Sequence, residues 1–257
     1  MSTLRPLLEN LIDYAGLFPP SALPMAKAVE NYARYRKSPE SWMLARFVVP
    51  VARLDEFEES MAGRDFVPAI SALIGGDLDH DLERIARSPF PIDTIELKAA
   101  DVAQVESAAK RMPQTSTPYF EISDTALIPV IRSVNARAKI RTGGITPEAF
   151  PAAAPIAHFL KKCSETDTPF KATAGLHHPL RCHRPLTYSP DGPSGWMYGF
   201  LNVFLAAVLA RRGVSPETLE ALLTESSPES LADSTQLVSW GSCVSSRLIA
   251  VSTLSNR

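Results

Sequence analysis

Ala138-Lys139-Ile140-Arg141-Thr142-Gly143-Gly144 and Phe170-Lys171-Ala172-Thr173-Ala174-Gly175-Leu176 are two stretches built on one plan. Each is a short run of β character with a lysine at its centre and a glycine turn at its end, which is how a strand delivers side chains to the mouth of an α/β barrel. An ammonium group is costly to desolvate. Lysines at matching places in consecutive units therefore point to amine chemistry rather than to solubility.

Outward from these two stretches, strand-like segments recur at residues 11–18, 44–49, 67–73, 94–98, 119–122, 138–142, 170–173 and 237–240, separated by amphipathic stretches. Helix starts are spelled out by Ser38-Pro39-Glu40, Thr146-Pro147-Glu148, Ser215-Pro216-Glu217 and Ser227-Pro228-Glu229, each a capping hydroxyl followed by proline and an acid. The chain has 257 residues, and about 250 is typical of a β/α barrel. The expected architecture is α/β, a single eight-stranded parallel β/α (TIM) barrel over residues 1–257, with an open doubly wound sheet as the alternative. No linker or repeat divides it. The long connection between strands seven and eight opens with a proline- and glycine-rich run at residues 177–199, which reads as a lid-like insertion.

Twenty-six basic and 28 acidic residues leave a net charge of −2, with no long run of either sign, so neither nucleic acid nor a membrane surface is an expected partner. A small-molecule substrate is, and homo-oligomerisation is left open. Cys163, Cys182 and Cys243 are scattered without a CxxC pair, which fits a reducing, cytoplasmic setting. Residues 1–11 do not read as a signal peptide. The uncharged stretch at 195–210 contains Asn202 and is shorter than the roughly 20 residues a spanning helix needs, so it reads as a buried helix.

Side chains alternate faces along a strand, and this parity sorts the polar residues. In Thr94-Ile95-Glu96-Leu97-Lys98 the apolar Ile95 and Leu97 should face helices, sending Glu96 and Lys98 inward. The same parity turns Glu121, Lys139, Arg141, Lys171 and Thr173 inward, so four neighbouring strands converge on one charged cluster. Asp13 and Arg46 on early strands join it as further candidates, with salt-bridge roles equally open. An isolated strand lysine is more often half of an ion pair than a catalyst. A whole cluster is different, because apolar layers would fill the interior at lower cost. Two close amines depress each other's pKa, which would leave one of them neutral and able to attack a carbonyl. Arg141 could add to that depression or hold an anionic substrate group.

Lys139-Ile140-Arg141-Thr142-Gly143 resembles the Lys-Thr-Ser-Thr-Gly strand that carries the Schiff-base lysine of deoxyribose-phosphate aldolases, and Lys171-Ala172-Thr173-Ala174-Gly175-Leu176 resembles their second-lysine strand, Lys-Ala-Ser-Gly-Gly-Ile. Leu11-Ile12-Asp13-Tyr14 is similar to the family's opening Ile-Asp-His-Thr, and Asp93-Thr94-Ile95-Glu96 to its fourth-strand segment with the catalytic aspartate. The resemblance implies a class I aldolase-like barrel in which Lys139 forms the imine, Lys171 tunes it and Glu96 assists proton transfer, with no cofactor. Glutamate stands at 96 for aspartate, Ala174 for a glycine and His177 for an arginine. Trp240-Gly241-Ser242-Cys243 stands for Gly-Ala-Ser-Ser or Gly-Thr-Ser-Ser, keeping Gly241 and Ser242 as substrate-binding candidates. A remote relative with another substrate is therefore expected.

His177, His178, Cys182 and His183 have ligand chemistry, but adjacent histidines in an extended chain point opposite ways, so His177 and His178 are read as substrate contacts and no metal ligand is assigned. Gly75-Gly76-Asp77 lacks phosphate-loop spacing and reads as a turn. Ser242 and Cys243 lack a nucleophile elbow. The expected function is Schiff-base lyase chemistry on a small, anionic or neutral, carbonyl compound. A non-catalytic barrel that binds a small anion and a metal-dependent enzyme using the 177–183 loop are the alternatives.

Overall fold

The computed structural model describes residues 8–230 and, for the backbone alone, 249–251. Seven parallel strands follow one another in chain order: β1 (Ile12–Tyr14), β2 (Leu44–Pro50), β3 (Ile70–Leu73), β4 (Ile92–Lys98), β5 (Thr117–Glu121), β6 (Arg137–Arg141) and β7 (Phe170–Thr173). An antiparallel hairpin, β8 (Cys182–Pro185) with β9 (Ser194–Met197), stands apart from the sheet, and β10 (Ile249–Val251) adds parallel to β7. Helices α1 (Met25–Tyr35), α2 (Leu54–Met61), α3 (Leu78–Ala86), α4 (Val102–Arg111), α5 (Ile128–Ser133) and α6 (Ala153–Glu165) fall in the crossovers, and α7 (Phe200–Arg211) and α8 (Pro216–Thr224) follow the hairpin.

The expected closed eight-stranded barrel is corrected by the strand order. Pairing runs from β1 to β7 and on to β10, and among the described residues no ladder returns from β10 to β1. The protein is an open, half-barrel parallel α/β sheet, curved enough for side chains of β1 and β7 to meet. Both outer strands are only three residues long, so either edge offers few backbone groups for a further ladder. The strand expected at 237–240 lies outside the described residues, as do Gly241, Ser242 and Cys243.

Parity along the strands decides which groups meet. Phe47, Val49, Ile70, Ala72 and Ile95 pack outward with Met25, Val29 and Tyr32 of α1 and Leu54 and Phe57 of α2. Phe120, Ala138, Ile140, Phe170 and Ala172 pack outward in one cluster with Ile156, Phe159 and Leu160 of α6. The alternate residues are thereby left to the inner face, among them Asp13, Ser71, Glu96, Lys139 and Lys171, all of which are buried. A strand buried on both faces would ordinarily be continuously apolar. Polar groups can replace that filling only by satisfying one another.

The turns are only partly those the sequence spells. Ser215 caps α8 by accepting from Thr218 N, and Ser227 Oγ accepts from Ser230 N. Thr146-Pro147-Glu148 instead leads into a 3-10 turn with no side-chain cap, and α6 begins later, at Ala153. Residues 38–40 likewise precede a 3-10 turn, Ser41–Met43. Gly75 and Gly76 form the expected turn, their N–H groups donating to Asp81 Oδ2 at 3.2 and 3.1 Å while Asp77 caps α3. Within the segment at 177–199 the chain forms the β8–β9 hairpin. The 195–210 stretch does form a buried helix, α7, around a fully buried Asn202 that donates to Leu222 O and Glu225 O. No helix among the described residues is long and apolar enough to cross a membrane.

β7 leaves the sheet through two left-handed residues, Ala174 (φ 65°) and Gly175 (φ 75°). A Cβ at Gly175 would lie 2.6 Å from a Phe150 ring carbon and 3.0 Å from Gly143 Cα, so this position needs glycine for space as well as for conformation. Ala174 carries the left-handed cost without the crowding. Ala174→Gly is expected to raise stability by up to about 1 kcal/mol, and Gly175→Ala to lower it by about 2 kcal/mol or more. Urea denaturation of both variants checks the opposite signs.

Candidate functional site

Five charged side chains on the inner face form an unbroken chain of alternating sign. Asp13 Oδ2 on β1 accepts from Lys171 Nζ on β7 at 2.7 Å, and Lys171 Nζ also donates to Glu96 Oε1 on β4 at 2.8 Å. The other oxygen of Glu96, Oε2, lies 2.8 Å from Lys139 Nζ on β6, which reaches Glu121 Oε2 on β5 at the same distance. Register brings these groups together. Lys139 is the cross-strand partner of both Lys171 and Glu121, and Glu121 in turn pairs with Lys98.

Burial is graded along the chain. Asp13 is fully buried, the Lys171 and Glu96 side chains are 1% and 3% exposed, Lys139 is 7% and Glu121 15% exposed. Burial pushes the Glu96 carboxyl up, but the two ammonium groups, Lys171 and then Lys139, outweigh it and hold the group well below its ordinary range. Burial likewise works to neutralise Lys171, yet Asp13 and Glu96 override it and raise its pKa above the ordinary lysine value. The expected mutual depression of the two amines is thus corrected for Lys171, because a carboxylate stands between them. Lys171 is an ammonium ion clamped by two carboxylates and the face of Tyr119, whose ring centre lies 4.7 Å away.

Two residues complete this core without having stood out in the sequence. Ser71 Oγ donates to Glu96 Oε1, and Tyr119 accepts at its hydroxyl from Arg137 at 2.8 Å while its ring backs Lys171. Their signal was the same parity, since Ser71 lies between outward Ile70 and Ala72 and Tyr119 precedes outward Phe120.

The remaining candidates separate into distinct roles. Arg46 gives its guanidinium to Asp93 in a two-pronged pair, both contacts 2.7 Å, and touches Asp13 only through its backbone N–H at 3.0 Å. Thr173 is nearly buried, its hydroxyl directed to Ile140 O at 3.4 Å. His178 O accepts from Phe200 N, anchoring the start of α7. His183 packs edge-on against Trp196, which also lies under Arg181. No three His, Cys, Asp or Glu side chains converge as a metal ligand set among the described residues, so the 177–183 segment does not assemble one. Lys98 and Arg141 end their strands exposed. Both line a cavity of about 530 Å3 at the C-terminal ends of β4–β6, together with Gln104, Glu121, Ser123 and Thr125. Glu121 belongs to both features, contacting Lys139 and lining the cavity.

No family model matches the chain, and no curated protein matches its sequence. Among solved structures, a lysine/ornithine decarboxylase complexed with cadaverine from Vibrio vulnificus is similar at 10% sequence identity and a TM-score of 0.49, over 96% of this chain and 58% of that one. The chain therefore spans little more than half the length of that protein.

Removing one partner from a buried ion network leaves the others uncompensated, at a cost of about 3–5 kcal/mol. Lys171→Met, which leaves Asp13 and Glu96 facing each other, is expected to lose that much stability in urea denaturation. Because the Glu96 pKa is depressed in the folded protein, its contribution is present above the unfolded value near 4.5 and is lost as pH falls through the folded value. Lys171→Met should therefore shift the acid-unfolding midpoint to higher pH.

Proposed function

We propose that the protein is a Schiff-base lyase, acting on a small carbonyl compound through Lys139. The observation that supports this reading most is the asymmetry between the two amines. Lys171 is locked as a charged group between Asp13 and Glu96, whereas Lys139 is the more exposed lysine and sits beside Glu121, which faces the cavity. The family resemblance of the two strands likewise makes Lys139 the imine-forming lysine.

The chemistry follows from those positions. The Lys139 ammonium passes a proton to Glu121, and the neutral amine adds to the substrate carbonyl; loss of water gives a protonated imine. The imine draws electrons from the neighbouring carbon-carbon bond; as that bond breaks, the departing fragment becomes a carbonyl by giving its hydroxyl proton to Glu121. The enamine left on Lys139 takes a proton at carbon and is hydrolysed by water to free the amine, the reverse sequence forming the bond. Glu96, held ionised by the Lys171 ammonium, is a poor proton carrier and serves instead to stabilise the positive nitrogen of the imine. Glu121, only half-buried, is the carboxylate that moves protons.

Incubation with a panel of small aldehydes and ketones followed by borohydride reduction and peptide mass spectrometry tests the reading. A reduced adduct is expected on Lys139 and none on Lys171, and it should disappear in Lys139→Ala. Failure of every carbonyl to mark Lys139 would sink the lyase reading and favour a small-anion binding protein. Glu121→Gln is expected to slow adduct formation by at least tenfold, with 10²–10⁴ the usual contribution of a positioned acid or base.

A further inference from the structure

The cavity beside Glu121 carries more positive charge than the ion network uses. The Lys98 side chain makes no ion pair or hydrogen bond among the described residues, and the Arg141 side chain donates only through Nε, to Gly143 O at 3.2 Å. Glu121 does not offset them, since its carboxylate lies on Lys139 at 2.8 Å. Two exposed cations therefore line one cavity with the hydroxyls of Ser123 and Thr125 beside them.

We propose that Lys98 and Arg141, at the mouth of this cavity, take the acidic end of the substrate, and that the substrate class is a short oxo acid. The inference rests on the Schiff-base reading for its carbonyl end alone. Arg141 lies two residues along β6 from Lys139 on the same face, roughly 6–7 Å at strand spacing. Lys98 and Lys139 flank Glu121 on the strands to either side, about 5 Å from it each way. A carboxylate held between Lys98 and Arg141 is thus only a few bonds from a carbonyl that reaches Lys139. A guanidinium accepts a planar carboxylate by two parallel hydrogen bonds, and Lys98 adds a second charge.

Calorimetric titration of the whole protein with pyruvate, and separately with inorganic phosphate, tests the assignment. Pyruvate is expected to bind the wild type, with affinity at least tenfold lower in Arg141→Gln and in Lys98→Gln, and partly restored by Arg141→Lys. Both positions are exposed, and circular dichroism checks that the variants fold. Equal pyruvate affinity in all forms overturns the proposal, as does charge-dependent binding of phosphate with none of pyruvate. Borohydride reduction separates the two readings. A wild type that binds pyruvate through Arg141 but forms no adduct sinks the Schiff-base reading and leaves the acid site standing. An adduct with pyruvate that forms equally well in Arg141→Gln sinks the acid site alone.

Discussion

Glu96 is the group on which the interior depends. Its two oxygens accept from ammonium groups on β7 and β6, each at 2.8 Å, and Ser71 on β3 donates to one of them. With Asp13 and Glu121 at the two ends, carboxylates on β1, β4 and β5 are tied to lysines on β6 and β7. Desolvating five charges is expensive, and only full mutual pairing makes it tolerable. The same pairing replaces the apolar filling that a buried sheet face would ordinarily have.

The alternation of sign decides which residue has chemical freedom. A lysine between two fully buried carboxylates is held as an ion, and Lys171 is in that position. Lys139 has one buried carboxylate and one that faces the cavity, so its proton has a route outward. Burial grades along the chain from Asp13 to Glu121, and the proposed chemistry lies at its open end. Lys98 and Arg141 lie beyond it, as the positive charge left over once the network is paired.

Much of this was legible in the sequence, and parity was the reason. The apolar residues of each strand fixed the outward face, so Asp13, Glu96, Glu121, Lys139, Lys171 and Thr173 could be assigned inward before any contact was known. Partners were not legible. The spacing of Lys139 and Lys171 implies two adjacent amines, and nothing local says that Glu96 stands between them and reverses the direction of the Lys171 shift. Arg46 shares the inward parity yet spends its charge on Asp93, because a long side chain can reach a partner off its own face. Closure of the sheet was also beyond sequence reading. It turns on backbone pairing between two three-residue edges rather than on the side-chain pattern, and the strand inferred at 237–240 does not coincide with β10. Proline-acid triplets marked turns reliably but helices only at Ser215 and Ser227, since a cap needs its hydroxyl aimed at the third N–H as well as the right residue types.

The protonation state of Lys171 is the point on which the assignment of roles turns. Titration of the lysine side-chain nitrogens by heteronuclear NMR, with the Lys171 signal identified by its loss in Lys171→Arg, measures it directly. The account predicts that Lys171 stays an ammonium ion through and beyond pH 10.5, the ordinary lysine value. A Lys171 midpoint below that value, and above all one near neutrality, would make it the free amine and contradict the account.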